Sequence, residues 1–399
     1  MRTIINAKEQ KDRDDSTVLQ PAKTIVIGFA LFAMFFGAGN MVFPLFLGAN
    51  AGAHIFIVAI IFIIIGVGTP LLGLISTAMF HGNYWDFFGR LGKLPAYLII
   101  TFIILIIGPL SAAPRTEVIT YQSLLPFLPK TFTSPIIFSL IFCFITFLCA
   151  YRENKIVDII GYKITPIKLS CFVFLILAAI FSSANTLKLT PSFSTIAYQA
   201  VSMGYGTMDL LGAFFFSTIA VRAITSHNAE LTMQRQALIR ANIIAGVLLG
   251  LIYLGFMFAA YFHAASLQNL SPDQLIHNIA GIVLGKFGAF FVGICVTFAC
   301  LATSIALADV TSTYLYDIVV LQTLSRLTCM LIVLVIMFFM TQLGFSGIMS
   351  FAYPLLKILY PALITLCLVN VLYKCYGFKY VKLPVMVTAI IATIVSFIY

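Results

Sequence analysis

Long uncharged stretches, separated by short polar segments, run through nearly the whole chain. They predict eleven membrane-spanning helices, at 24–49, 55–79, 94–123, 134–151, 162–183, 205–223, 238–262, 280–308, 326–343, 347–373 and 383–399. A helix needs roughly 20 apolar residues to cross a bilayer, and each stretch is close to that length or longer. The pattern therefore predicts an all-α polytopic membrane protein.

The first predicted span is interrupted near its centre. Gly37, Gly39 and Asn40 lie there, and Pro44 follows. Glycine weakens a helix by roughly 1 kcal/mol and proline by roughly 3. In lipid, a backbone group that leaves the helical pattern needs a partner inside the protein. A helix broken at this depth is typical of a cavity or a solute site.

The sixth predicted span, 205–223, also looks interrupted, because Gly204 and Gly206 precede Asp209 and the apolar part that follows is short. The first and sixth spans start on opposite membrane faces, as an inverted repeat of two five-helix halves requires. The predicted organisation is a cytoplasmic tail 1–23, a first repeat 24–183, an outer connecting loop 184–204, a second repeat 205–373 and an extra C-terminal helix 383–399.

Composition supports a membrane protein. Of 399 residues, 61% are hydrophobic and 9% are charged, against about 25% charged in a soluble domain. The net charge of +10 does not indicate a nucleic-acid partner, because Lys and Arg concentrate in the segments that are cytoplasmic when the N-terminus is inside. We expect a multi-pass protein of the plasma (inner) membrane; the sequence assigns no oligomeric state.

No cofactor, metal site or catalytic group is indicated. The eight cysteines and five histidines show no ligand spacing. A membrane-embedded enzyme, which stays open as an alternative, needs clustered carboxylates or a nucleophile with a base. The chain offers the isolated Asp209 and Asp309 instead.

A broken first span offers two kinds of backbone group. Amides at Ala38, Gly39 and Asn40 would begin the second half-helix and suit a carboxylate. Carbonyls from Ala33 to Phe36 would end the first half-helix and suit a monovalent cation. The alternative is that the glycines seat a neighbouring helix.

The eighth span carries the adjacent hydroxyls of Thr303 and Ser304. They either bond back to carbonyls four residues earlier or meet the carbonyls of the first span around a sodium ion. Asp309, nearer the inner end, reads as a solvated helix end or as part of a cation path.

Charged residues also occur towards the outer ends of the third and sixth spans. Arg115 and Glu117 belong to the third span and Asp209 to the sixth. They read as ordinary interfacial charges, or, for Arg115 and Asp209, as an outer gate.

Several segments resemble, in order, the branched-chain amino acid:cation symporter family. They are GFALFAMFFGAGNMVFP at 28–44, IGPLSAAPRT at 107–116, GYGTMD at 204–209, ACLATSIA at 299–306 and LYP at 359–361. The resemblance runs from about Lys23 to Tyr399. Members usually have twelve spans, one more than here, and commonly have uncharged residues where Glu117 and Asp309 stand.

The resemblance implies a LeuT-like fold, with spans one to five and six to ten as the inverted repeat. It implies uptake of leucine, isoleucine and valine with Na+ or H+, sodium being favoured by the two hydroxyls. A symporter for another small neutral amino acid is the alternative.

The resemblance also implies site residues. The substrate carboxylate would be held by Gly37, Ala38, Gly39 and Asn40, the ammonium by carbonyls at a break near Phe215, Phe216 and Ser217, and the cation by Ala33, Phe36, Cys300, Thr303 and Ser304.

Overall fold

A computed structural model describes residues 21–151, 155–182, 191–225 and 231–398, and in these ranges the regular structure is helical with no strand. The predicted tail 1–23 lies almost wholly outside the described residues, as does the part of the predicted loop at 184–190.

The helices fall into consecutive spans, several of which consist of two segments. They are α1 Pro21–Phe35, α2 Ala38–Asn50, α3 Ile55–Ile63, α4 Thr69–Ala78, α5 Tyr84–Gly89, α6 Lys93–Leu105, α7 Ala112–Leu124, α8 Pro135–Tyr151, α9 Lys155–Phe181, α10 Phe193–Gly206, α11 Asp209–Thr225, α12 Leu231–Phe262, α13 Ala264–Leu267, α14 Leu275–Tyr314, α15 Arg326–Thr341, α16 Gly344–Tyr376 and α17 Lys382–Ile398.

The described helices match the predicted spans. Six helices are long and apolar enough to cross a membrane, and α1 with α2 forms a seventh crossing that is bent. Four shorter apolar helices lie at the remaining predicted spans: Pro135–Ala150, Pro166–Phe181, Arg326–Thr341 and Lys382–Ser396. Each of the eleven predicted spans therefore has a helical counterpart.

The break predicted in the first span is confirmed. Helix α1 ends at Phe35, α2 begins at Ala38, and the two axes differ by 72°. Gly37 precedes α2 in an extended conformation (φ −113°, ψ −166°). Its amide donates to Oδ1 of Asn40 at 3.2 Å, so the first turn of α2 holds its own start in place.

The sixth span differs from its prediction in two ways. It begins at Phe193, so the predicted loop 184–204 is wrong over its second half, where residues 193–204 are helical. The break lies at Thr207 and Met208, between α10 and α11, and not near Phe215. Met208 adopts φ +63°, a left-handed conformation that is uncommon for a residue other than glycine and is not indicated by the sequence.

The third span contains a further irregularity that was not predicted. A wide π turn, Ile106–Leu110, joins α6 to α7, and Gly108 within it has non-helical angles (φ −83°, ψ −119°). Pro109 contributes no amide hydrogen there. The turn changes the direction of the chain just before α7 carries Arg115 to the centre of the bundle.

The helices pack around the broken first span. Helix α2 lies against α12, α14 lies against α7 and α9, and α11 lies against α4, while the C-terminal α17 packs on α16. Large side chains on the outside stay apolar, among them Phe56, Phe144, Leu251 and Phe339. This is the surface that a lipid environment requires, since lipid tails solvate apolar groups.

Candidate functional site

One hollow joins the two broken spans. It is lined by the break between α1 and α2, by Thr207 and Asp209 at the break between α10 and α11, by Arg115 of α7 and by Thr303 of α14. Its empty volume, counted with the open space at its mouth, is about 450 Å³. The first span is therefore not a continuous helix, and its break lines the hollow.

The first turn of α2 keeps part of its hydrogen-bonding capacity. The amide of Gly37 is already bonded to Asn40 Oδ1. The backbone amides of Ala38, Gly39 and Asn40 are the first three of α2, and first-turn amides have no partner within their own helix. An anion at this end of the cavity would meet these three donors.

The side chain of Asn40 links three helices. Its Nδ2 donates to Oδ2 of Asp209 at 2.6 Å and to the hydroxyl of Tyr253 on α12. The Tyr253 hydroxyl in turn donates to the same Asp209 oxygen at 2.8 Å. The side-chain amide of Asn40 is thus occupied by hydrogen bonds within the protein. The backbone N–H is the group of this residue that a ligand could bind.

Two glycines of α2 have different neighbours: Gly48 lies against another helix and Gly39 lies against a side chain of the site. A Cβ on Gly48 would lie 2.0 Å from the carbonyl oxygen of Met257, so Gly48 lets α12 approach closely. A Cβ on Gly39 would instead lie 2.8 Å from Nη2 of Arg115. The packing interpretation therefore suits Gly48, whereas Gly39 makes room for a charged side chain at the cavity.

Arg115 and Asp209 do not form the predicted gate as a direct ion pair. Arg115 is 3% exposed and Asp209 is 6% exposed, so neither is an interfacial charge. Nη1 of Arg115 donates to the carbonyl of Gly206, the last residue of α10, at 2.6 Å. Asp209 is bonded to Asn40 and Tyr253. Arg115 therefore binds the residue just before the sixth-span break, and Asp209 is the residue just after it.

The predicted cation ligands are brought together only in part. Thr303 lies beside Gly37, with its side chain 3.5 Å from an ideal Cβ there, and its hydroxyl also donates to the Ala299 carbonyl at 3.1 Å. The Ser304 hydroxyl contacts Sδ of Met337 on α15 at 3.8 Å. Because neighbouring helical residues point about 100° apart, Ser304 does not face the first span.

The remaining predicted cation residues are backbone candidates. Ala33 is half-buried and Phe36 is buried, at and just beyond the last turn of α1, and Cys300 is fully buried on α14. Cys300 lies one turn before Thr303, on the helix that faces the break. Of the two predicted hydroxyls, that of Thr303 lies beside the first-span break.

The predicted ammonium site near Phe215, Phe216 and Ser217 is wrong in its premise. These residues lie inside the continuous helix α11, whose carbonyls bond to later amides of the helix. Phe216 does line the cavity, but the Phe215 ring packs on Tyr84. Ser217 donates to the Leu74 carbonyl at 3.2 Å.

Two other predicted carboxylates lie elsewhere. Asp309 forms a half-exposed ion pair with Arg326 at 3.2 Å, as expected of a solvated helix end. Glu117 is 1% exposed and accepts from Thr341 at 3.3 Å, so it is not an interfacial charge.

Sequence reasoning missed Tyr253 and Met208. Tyr253 is one of two tyrosines in α12, and no pattern distinguishes it from the other tyrosines of the chain. The two residues that leave the helix, Thr207 and Met208, are neither glycine nor proline. Only the neighbouring Gly204 and Gly206 hinted at a break.

Broken helices that meet at one hollow are typical of the LeuT-like fold, and the comparisons with solved structures agree. The inward-facing conformation of Mhp1 matches with a TM-score of 0.66 at 15% identity, covering 95% of this chain and 92% of that chain. MhsT in complex with L-phenylalanine matches with a TM-score of 0.58 at 15% identity, covering 96% and 99%. The fold class predicted from the sequence is confirmed.

The family is shown by sequence. The family model described as branched-chain amino acid transport protein matches residues 20–399. The branched-chain amino acid permease BraB of Bacillus subtilis (strain 168) is 33% identical over 365 residues, which is 88% of this chain and 80% of the relative. The chain belongs to the branched-chain amino acid transport protein family, and the resemblance drawn from its motifs is confirmed.

Proposed function

We propose that the protein imports leucine, isoleucine and valine, driven by a cation gradient in which Na+ is favoured over H+. The observation that carries the proposal is the hollow between the breaks of the first and sixth spans. Backbone groups released in lipid can be satisfied there by a bound solute and ion. We place the protein in the plasma (inner) membrane, with its N-terminus in the cytoplasm.

The walls of the hollow suit a small aliphatic amino acid. Phe35, Phe216 and Leu307 supply apolar surface, and the first turn of α2 supplies amides for a carboxylate. One methylene changes binding by about 1–3 kcal/mol in such a pocket. We therefore expect leucine, isoleucine and valine to compete with one another, with other small neutral amino acids as weaker substrates.

The cation is proposed to lie between the first and eighth spans. Carbonyls near Ala33 and Phe36, the backbone of Cys300 and the hydroxyl of Thr303 are the ligands. A cation bound there joins α1 to α14 and favours the conformation that accepts substrate. Such a difference in affinity between conformations is what couples an ion to a solute.

Uptake by proteoliposomes tests the proposal. Labelled leucine is supplied with an inward Na+ gradient, with K+ replacing Na+, and with a proton gradient alone. We expect accumulation with the Na+ gradient and its loss when the gradient is abolished. Accumulation driven only by the proton gradient would replace Na+ by H+, and no gradient-dependent uptake of any aliphatic amino acid would defeat the proposal.

The cation site has a matched control on the same helix. Thr297, like Thr303, donates to the carbonyl four residues earlier, in its case Gly293 at 2.8 Å, but it does not line the hollow. Thr303→Ala is expected to raise the Na+ concentration for half-maximal uptake by about tenfold, the equivalent of one ligand worth about 1.4 kcal/mol. Thr297→Ala is expected to leave it unchanged. Equal Na+ dependence in both variants would remove Thr303 from the site.

A further inference from the structure

The guanidinium of Arg115 is a buried charge whose hydrogen-bonding and ion-pairing capacity is only partly used by the described residues. In the described residues no carboxylate oxygen lies within 4.0 Å of it, the distance that defines an ion pair. Nη1 donates to the Gly206 carbonyl and contacts Sδ of Met349 at 3.6 Å. Nε has no hydrogen-bond partner among the residues that the structure describes. A buried charge that no counter-charge contacts directly is destabilising, so this arrangement favours an anionic ligand.

The guanidinium lies against the first turn of α2. A Cβ on Gly39 would be 2.8 Å from Nη2 and 3.2 Å from Cζ of Arg115. The ring of Phe43, one turn further along α2, has its centroid 5.2 Å from Cζ. The start of a helix carries partial positive charge from its free amides. Two positive groups therefore converge on one end of the hollow.

An acidic side chain also lines the hollow. Asp209 lines it and is held by Asn40 and Tyr253. Since Arg115 and Asp209 are separate rather than paired, the hollow presents a guanidinium at one place and a carboxyl group at another. A zwitterion, which is neutral overall, complements such a pair of regions without adding net charge to the interior.

We propose that Arg115 binds the α-carboxylate of the transported amino acid, together with the amides of the first turn of α2. The proposal rests on the proposed function and adds a residue to its site. A planar guanidinium can bind both oxygens of a carboxylate at once, which a lysine cannot do. Arg115 is thus the group that selects substrates with a free carboxylate.

The test compares leucine with leucinamide, which keeps the side chain and the amine but lacks the carboxylate. Dissociation constants of both are measured on purified protein in detergent by calorimetry. The unmodified protein is expected to bind leucine more tightly by roughly 10- to 100-fold, the range for a hydrogen bond to a charged group. Arg115→Met is expected to lower this ratio towards one, leaving only the part that the first-turn amides of α2 supply, while the affinity for leucinamide stays similar.

Two further variants keep the outcome decisive. Arg115→Lys keeps the charge but not the fork, so the ratio should fall part of the way; this variant carries the test if Arg115→Met does not fold. Arg90→Met is the matched control, because Arg90 binds Asn370 at 2.8 Å, away from the hollow. It should retain the ratio of the unmodified protein.

The result that overturns the proposal is a ratio that survives in both Arg115 variants, with both affinities falling together. That outcome would make Arg115 a structural residue that braces Gly206. An unmodified protein that binds neither compound would instead defeat the proposed function, and the two failures are therefore distinguishable.

Discussion

The two breaks that meet at the hollow are built differently. The first has small residues, with Gly37 and Ala38 at the start of α2, and its backbone stays in a region that any residue adopts (φ −113° at Gly37). The second has no glycine at the turning residue, yet Met208 adopts φ +63°. A non-glycine residue in that region costs about 1–2 kcal/mol. Glycine in the first break therefore provides room, not backbone freedom.

The second break is held by side chains from other helices. Arg115 binds the carbonyl that ends α10 and Asn40 binds the carboxylate that begins α11. Tertiary contacts thus supply what the local sequence does not. The comparison indicates that the first break presents backbone to a ligand, whereas the second is a supported joint whose side chains set the charge of the hollow.

The largest expected effect comes from removing the link between the breaks. Asn40→Leu leaves the Asp209 carboxylate with one donor fewer and the Gly37 amide without its acceptor. Losing a hydrogen bond to a charged group costs about 1.5–3 kcal/mol, and a buried donor left without an acceptor adds about 1–3 kcal/mol. We expect loss of leucine uptake and a lower thermal stability in detergent, measured per amount of folded protein.

Asn50→Leu is the control for Asn40→Leu. Asn50 ends the same helix, and within the described part of the chain its side chain donates to the Phe46 carbonyl alone, at 2.8 Å. Its replacement should leave uptake close to that of the unmodified protein. If Asn40→Leu also kept its uptake within twofold, the two breaks would not depend on each other.

The next effect separates room for a ligand from room for a helix. Gly48→Ala places a Cβ 2.0 Å from a backbone oxygen of α12, so we expect poor folding yield. Gly39→Ala places it against the movable end of Arg115, so the protein should fold while its affinity for leucine falls by about tenfold, from one weakened charged hydrogen bond. Size-exclusion profiles and leucine binding, measured on both variants, check this. Equal folding defects would assign both glycines to packing.

A smaller effect is expected from the third member of the Asn40 link. Tyr253→Phe removes one hydroxyl donor from Asp209, at a cost of about 1–3 kcal/mol for an unsatisfied buried acceptor. The shift in thermal unfolding measures it. Tyr261→Phe on the same helix, whose ring packs on Phe262, serves as the control and should unfold like the unmodified protein; a matching loss there would mean that hydroxyls of α12 matter in general.

The smallest effect concerns the strained residue itself. Met208→Gly and Met208→Ala both remove a buried side chain, but only glycine accepts φ +63° without strain. We expect the glycine variant to be the more stable of the two by about 1 kcal/mol, the reverse of the usual helical preference. Denaturation of the two variants side by side decides it, and a more stable alanine variant would show that the turn can relax.

Much of the fold was readable because lipid imposes simple rules. Uncharged stretches predict spans by length alone. Gly37 and Gly39 predict the first break because each glycine weakens a helix by roughly 1 kcal/mol. The sixth span was harder. Its first half, α10, contains enough serine, threonine and glutamine to resemble a loop, and its helical character comes from packing on α2, α3 and α16.

The residues of the site were harder to predict than the fold. The ammonium position near Phe215 came from the resemblance, and it assumed a break seven residues away from the true one. Ser304 follows Thr303 directly, so the sequence treats them alike, but the helix turns one towards the first span and the other towards Met337. Arg115 was noticed as a charge, but its depth depends on the turn at Gly108, which only the structure reveals.

The hydrogen bonds of Asn40 have a mechanical consequence. They fasten α2, α11 and α12 into one block, since each contributes a member to the same buried cluster. The half-helices α1 and α10 end just before that block and contribute no side chain to this hydrogen-bonded cluster; α1 instead packs along α12, and Arg115 binds the end of α10. Helix movement during transport is therefore expected to bend the chain at the two breaks, which would act as hinges between each half-helix and the block.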